Sequence, residues 1–219
     1  MQNVYIKEVK SGREMDDFVR LPRRLYAGNP YYVPDLESDI RETFDPAKNA
    51  ALEFSDIQAF MAYDETGTPV GRIAGIINHR ANEKWHTRNV RFGFIEFVDD
   101  IAVADALLRA VEDWGRERGM DAIVGPMGIF DFDKEGMLVE DFDQLGSSIT
   151  IYNPPYYPRH LEALGYVKEV DWVQARIEVP AEVPARYART AALAQEMYGL
   201  RLRKISVKEM LNGYGRKVF

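Results

Sequence analysis

Residues 92–126 read FGFIEFVDDIAVADALLRAVEDWGRERGMDAIVGP. The first seven are apolar on both parities apart from Glu96, which predicts a central strand over 92–98 covered on both faces. Asp99 and Asp100 stand where a helix opens. After them Ile101, Ala104, Leu107, Leu108, Val111 and Trp114 recur at the spacing of one helical face. That pattern predicts a helix over 101–118, ended by Gly119. Residues 121–125, DAIVG, read as a buried strand before Pro126. Strand, helix and strand in so short a span point to a layered α/β architecture.

Working outward, residues 4–10 read as a strand. Ser11 and Glu14 form a Ser-x-x-Glu capping box for a helix carrying Met15, Phe18, Val19 and Leu21, with Pro22 expected to disturb it. Pro30, Pro34 and Pro46 punctuate short helical pieces, and residues 56–64 and 70–78 read as a β-hairpin. Downstream, the spacing predicts a helix over 158–164 stopped by Gly165, then a long alternating strand over 166–179. The fold class is α/β, a mixed central sheet flanked by helices, with one domain over 1–178. Residues 179–219 read as a linker and helical tail, with a helix over Ala185–Tyr198. There Ser206, Glu209 and Met210 echo Ser11, Glu14 and Met15. The echo is either chance or the start of a second similar domain.

Composition bounds the function classes. A chain of 219 residues, 46% apolar and 12% aromatic, has material for a real core. A formal charge of −7 argues against a nucleic-acid backbone as partner. The absence of cysteine excludes disulfides, zinc–thiolate sites and a thiol nucleophile. No run reaches 18 apolar residues, so no membrane partner and a cytoplasmic location are expected.

The element order from Arg91 to Trp172 resembles the GNAT (acyl-CoA N-acyltransferase) superfamily. The pieces that carry the resemblance are FGFIEFVDD, ALLRAVEDWGRERGMDAIVGP and HLEALGYVKEVDW. More closely, VGP, EGMLVEDFD and YNPPYYPRHLEALGY look like a bacterial group of GNAT-like proteins that are longer and can hold a second such domain. The resemblance implies a site for acetyl-CoA or another acyl-CoA. Its pantetheine arm would enter between the fourth and fifth strands, and its pyrophosphate would sit on the N–H groups opening the next helix. On this sequence those contacts fall on Phe97, Val98, Asp99, Asp100 and Ile101. The superfamily spaces an Arg or Gln and two small residues there, Arg/Gln-x-x-Gly-x-Gly/Ala. Residues 97–104, FVDDIAVA, hold no glycine and no basic residue.

For catalysis, Glu96 on an apolar strand suits a general base for an amine, or else pairs structurally with Arg72 on the hairpin. The superfamily's acid tyrosine position, four before the glycine, is Leu161 here. Tyr157, one helical turn earlier, is the candidate acid toward a leaving thiolate, or else a packing residue that wedges its helix against the sheet. Asp133 and Glu135, in an acidic stretch, and Tyr156 are candidates for the rim that receives an amine. The spacing lacks a calcium loop, so no metal is expected. The leading function is acyl transfer from acyl-CoA to a small-molecule amine. A non-catalytic ligand- or protein-binding domain and half of a tandem enzyme stay open, as does a homo-oligomer.

Overall fold

The structure, a computed structural model, describes residues 3–147 and 149–218. Contacts divide it into two units, Met1–Trp172 and Val173–Phe219.

The first unit is built on a five-stranded sheet in the order β1 (Tyr5–Glu8), β2 (Ser55–Tyr63), β3 (Pro69–Asn78), β4 (Asn89–Phe97) and β5 (Ala122–Val124). All neighbours are antiparallel except β4 and β5. A parallel pair needs a crossover, and α4 (Ile101–Arg116) supplies it. Val103, Leu107, Leu108, Val111 and Trp114 of α4 are buried in a core with Phe92, Ile95 and Phe97 of β4. Ile101, expected on that face, stands exposed in the first turn, and Val103 takes the buried place instead. On the other face of the sheet, α1 (Gly12–Leu25) and α2 (Glu37–Thr43) contribute Phe18, Leu21 and Ile40 to a second core that Phe94 joins. A short α3 (His79–Trp85) follows β3, and α5 (Tyr156–Ala163) buries Tyr157 and Leu161 in the α4-side core.

Three local expectations differ from what is found. Pro22 does not break α1: the helix runs through it to Leu25. Proline lacks the N–H that would bond the Phe18 carbonyl one turn back, and Arg72 Nη1 donates to that carbonyl instead at 2.8 Å. Strict alternation along β4 would put Phe92, Phe94, Glu96 and Val98 on one face. Phe94 instead has φ 53°, and the register with β3 shifts between Arg72 and Ala74. This bulge leaves Phe94 on the α1 side and packs Phe92 and Val98 with the α4-side core. No strand forms over 166–179. Val167, Val170, Trp172, Val173, Ile177 and Val179 stand exposed, and β5 is three residues long, too short an edge to ladder a strand of that length.

Taken by itself, the second unit carries α6 (Ala185–Tyr198), ended by Gly199 at φ 61°, and a complete capping box at Ser206 and Glu209. No hydrophobic residue among its described positions is fully buried.

Candidate functional site

β4 and β5 pair only from Asn89–Ala122 to Arg91–Val124. Beyond them the chain turns away, Met127 N–H caps the Phe92 carbonyl at 2.9 Å, and the rest of β4 borders a cavity of about 340 Å³. Ile40, Phe94, Ile95, Met127 and Met137 supply apolar wall, and Arg72 and Glu96 bring charge to it. Gly93 lies at this parting. A Cβ there would come 2.6 Å from the Met127 carbonyl oxygen, a backbone atom that cannot rotate aside. Gly93→Ala is therefore expected to cost roughly 1–3 kcal/mol by overpacking, read as a shifted midpoint in urea unfolding.

Glu96 is held from three sides. Its side chain is 13% exposed, and Arg72, 2% exposed, places Nη2 3.8 Å from Oε1, beyond hydrogen-bond range. Tyr26, the C-cap residue of α1, and Tyr157 of α5 both donate to Oε2, the latter at 2.9 Å. The two phenol oxygens lie 3.1 Å apart. Phe97 N–H donates to the Tyr157 oxygen at 2.8 Å, and the Tyr157 hydroxyl, nearest to Glu96 Oε2, also lies 3.3 Å from the Phe97 carbonyl. Among the described residues, Oε1 accepts no hydrogen bond and Arg72 Nε is buried without a partner. Burial raises the Glu96 pKa above the ordinary carboxylate value; the Arg72 charge and the two phenols oppose that shift without cancelling it. Burial and the nearby Glu96 charge push the Tyr26 and Tyr157 pKa values upward, so both phenols stay protonated.

Tyr26 carries no local sequence signal that marks it. It arrives from 70 residues upstream, with its ring against Tyr32 at 4.4 Å and Tyr152 at 5.6 Å. Tyr26→Phe keeps the ring and removes one donor to a carboxylate, a hydrogen bond worth about 1.5–3 kcal/mol. It should also raise the Glu96 pKa further, because a bond favouring the anion is lost. Urea unfolding and the acid limb of a rate profile check the two effects.

The sequence-predicted residues separate into groups. Glu96, Tyr157 and Asp133 border the cavity; Tyr156 and Glu135 do not. Tyr157 is 1% exposed and stacks on Phe97 at 4.1 Å, so packing and polar roles coincide in one side chain. Tyr156 donates to the Phe97 carbonyl at 2.6 Å. Asp133 Oδ2 accepts from Ile129 and Phe130 N–H at 2.7 and 3.0 Å, bracing its own loop. Among the described residues no group of His, Cys, Asp and Glu is placed to hold a metal. No helix among them is long and apolar enough to cross a membrane.

The strand order, the α4 crossover and the parting of β4 from β5 match the architecture expected from the resemblance. The fold is that of the GNAT acyltransferases. Among solved structures of this fold, an aminoglycoside 6′-N-acetyltransferase from Acinetobacter baumannii is similar over 81% of this chain and 100% of its own, at 12% identity and a TM-score of 0.48. Two curated relatives are nearer in sequence. The bacterial ceramide synthase of Caulobacter vibrioides is 31% identical over 177 residues, 80% of this chain and 46% of that protein. Protein YghO of Escherichia coli is 32% identical over 165 residues, 74% of this chain and 42% of its own length. The chain thus spans less than half the length of these relatives. No family model matches it.

The GNAT fold implies an acyl-CoA whose diphosphate rests on the N-terminus of α4. The residues present do not fit that group. Asp100 caps α4, its Oδ1 accepting from Ala102 N–H at 2.8 Å. Asp99, 61% exposed in its side chain, binds His160 Nε2 at 2.7 Å. Val98 N–H is spent on the Val70 carbonyl and Phe97 N–H on Tyr157, which leaves Ile101 N–H, without a partner among the described residues, directly after the two aspartates.

Proposed function

We propose that this chain carries an N-acyltransferase site in which Glu96 takes the proton of an acceptor amine. The observation that carries the reading is the asymmetry of the Glu96 carboxylate. Oε2 is fixed by two phenols, while Oε1 is bare beside a cavity and its raised pKa makes it a better base. An amine N–H donating to Oε1 lines up the nitrogen lone pair with the carbonyl of an acyl thioester. The C–N bond forms as the proton passes to Oε1; the C–S bond then breaks and the thiolate departs. In this reading Tyr157 is a positioning residue, because its hydroxyl donates to Oε2.

Arg72 narrows the acceptor. Arg72 Nη2, 3.8 Å from Oε1, stands where it would donate to an oxygen next to the amine. We therefore read the acceptor as an amine with a neighbouring hydroxyl, its apolar remainder along Phe94, Ile95 and Met137. A carboxylate in place of the hydroxyl is disfavoured by Asp39, Asp133 and Glu96 at the cavity, where Lys134 is paired with Asp35. The relationship to a protein named as a ceramide synthase supports an amino-alcohol acceptor, since ceramide is the amide of one.

The test is mass-spectrometric detection of amide from an acyl thioester and a panel of 2-amino alcohols, set beside matched amines lacking the hydroxyl. Amide formation that favours the amino alcohols is expected. Saturable binding of the amino alcohols with no amide would instead favour a ligand-binding domain, the reading that the capped α4 start supports.

A further inference from the structure

The start of α4 carries an inference about the other substrate; it rests on the acyl-transfer reading above. We infer that the acyl donor is recognised at its acyl and thioester end, and that the nucleotide diphosphate half of a CoA is not part of what this site binds.

Three features of the chain converge on this. The Asp100 carboxylate already holds Ala102 N–H, a donor a phosphate oxygen would need. The charge there has the wrong sign. Asp99 and Asp100 are consecutive, residues 101–104 are Ile-Ala-Val-Ala, and Asp105 follows. A diphosphate placed beside these carboxylates meets like charge at short range, which lowers its affinity most at low salt. His160 is bound to Asp99, and Asp105 is paired with Arg109, so neither basic side chain is free for a phosphate. Finally, the route along β4 is covered. Tyr157 takes the Phe97 N–H and Tyr156 donates to the Phe97 carbonyl, so the two phenols already occupy the backbone edge an extended donor arm would lie against.

The geometry leaves the acyl and thioester end its place. The cavity beside Glu96 is bordered by Tyr157 but by none of residues 97–101, and its Phe94, Ile95 and Met127 walls suit an acyl chain as well as they suit the acceptor's apolar part.

The experiment has two readouts. The first is calorimetric titration with 3′-phosphoadenosine 5′-diphosphate, the nucleotide half of CoA, at low salt. A Kd weaker than about 1 mM is expected; anything tighter overturns the inference. In the variant Asp99→Asn with Asp100→Asn, where Asn still caps the helix, binding should tighten at least about tenfold. If that double variant does not fold, Asp99→Asn alone is used. No gain overturns the role given to the aspartates. The second readout is kcat/KM for one acyl group carried on CoA and on N-acetylcysteamine. The two should agree within about tenfold, and a larger preference for CoA overturns the inference. If neither thioester reacts, the acyl-transfer reading fails, while the titration still decides whether the diphosphate binds.

Discussion

Replacing Glu96 by Gln is expected to lower amide formation by about 10²- to 10⁴-fold, the usual contribution of a positioned base, in a protein that remains folded. Gln keeps the shape, and its carbonyl oxygen can accept from both Tyr26 and Tyr157 as Oε2 does. What it loses is basicity at the bare oxygen. The pH dependence should carry the same signature. Burial raises the Glu96 pKa, so in the wild type kcat/KM should rise with pH through that raised value rather than through the ordinary carboxylate range. Stability should move the opposite way. A carboxyl whose folded pKa is raised contributes stability that is fully present below its unfolded pKa and is lost as pH rises through the folded value. The wild type should therefore lose stability across that window and Glu96→Gln should not. Urea unfolding of both proteins across the range, beside the rate profile, checks sign and window together.

Arg72→Leu should be the most destabilising single change in the site, at about 3–5 kcal/mol, the cost of breaking a buried ion pair by removing one member. The guanidinium does three things that leucine cannot do. It stacks over Phe18 at 4.9 Å, opposes the buried Glu96 charge, and donates to the Phe18 carbonyl that Pro22 leaves without its helical partner. Two of these losses have their own rescue. Adding Glu96→Gln removes the stranded carboxylate and should recover part of the loss, which a double-mutant cycle would read as coupling. Adding Pro22→Ala restores an N–H one turn from the Phe18 carbonyl and should return about 1 kcal/mol, the net worth of one hydrogen bond. A cost under about 1 kcal/mol for Arg72→Leu, within the scatter of ordinary surface changes, would mean that the pair does not hold the site.

Much of the scaffold was legible because its signals are local. The Ser11–Glu14 and Ser206–Glu209 capping boxes, the hairpin of β2 and β3, and the α4 stripe each follow from contacts within a few residues. Glu96 and its facing Arg72 were also legible, since one sits on a strand and the other on the neighbouring strand of the hairpin. The rest depends on long-range assembly. Tyr26 reaches Glu96 as the C-cap of a helix that continues through Pro22, whose missing bond to the Phe18 carbonyl Arg72 replaces, and no pattern near residue 26 encodes that. Gly93 beside Phe94 was a readable sign of a bulge, because glycine inside a strand often marks one. Parity reasoning passed over it and put Phe92 on the wrong face. Alternation over 166–179 described side-chain pattern correctly, yet it cannot supply the neighbouring strand that a ladder requires.

Burial raises the pKa of the Glu96 carboxyl, and ¹³C NMR titration of labelled glutamate carboxyl carbons reads that property without any substrate. The Glu96→Gln spectrum assigns the resonance. A carboxyl that stays protonated well above about 4.3, the usual glutamate value, and whose midpoint moves up again in Tyr26→Phe, is the predicted result. A Glu96 that titrates at or below the usual value, unmoved by loss of the phenol, would contradict it.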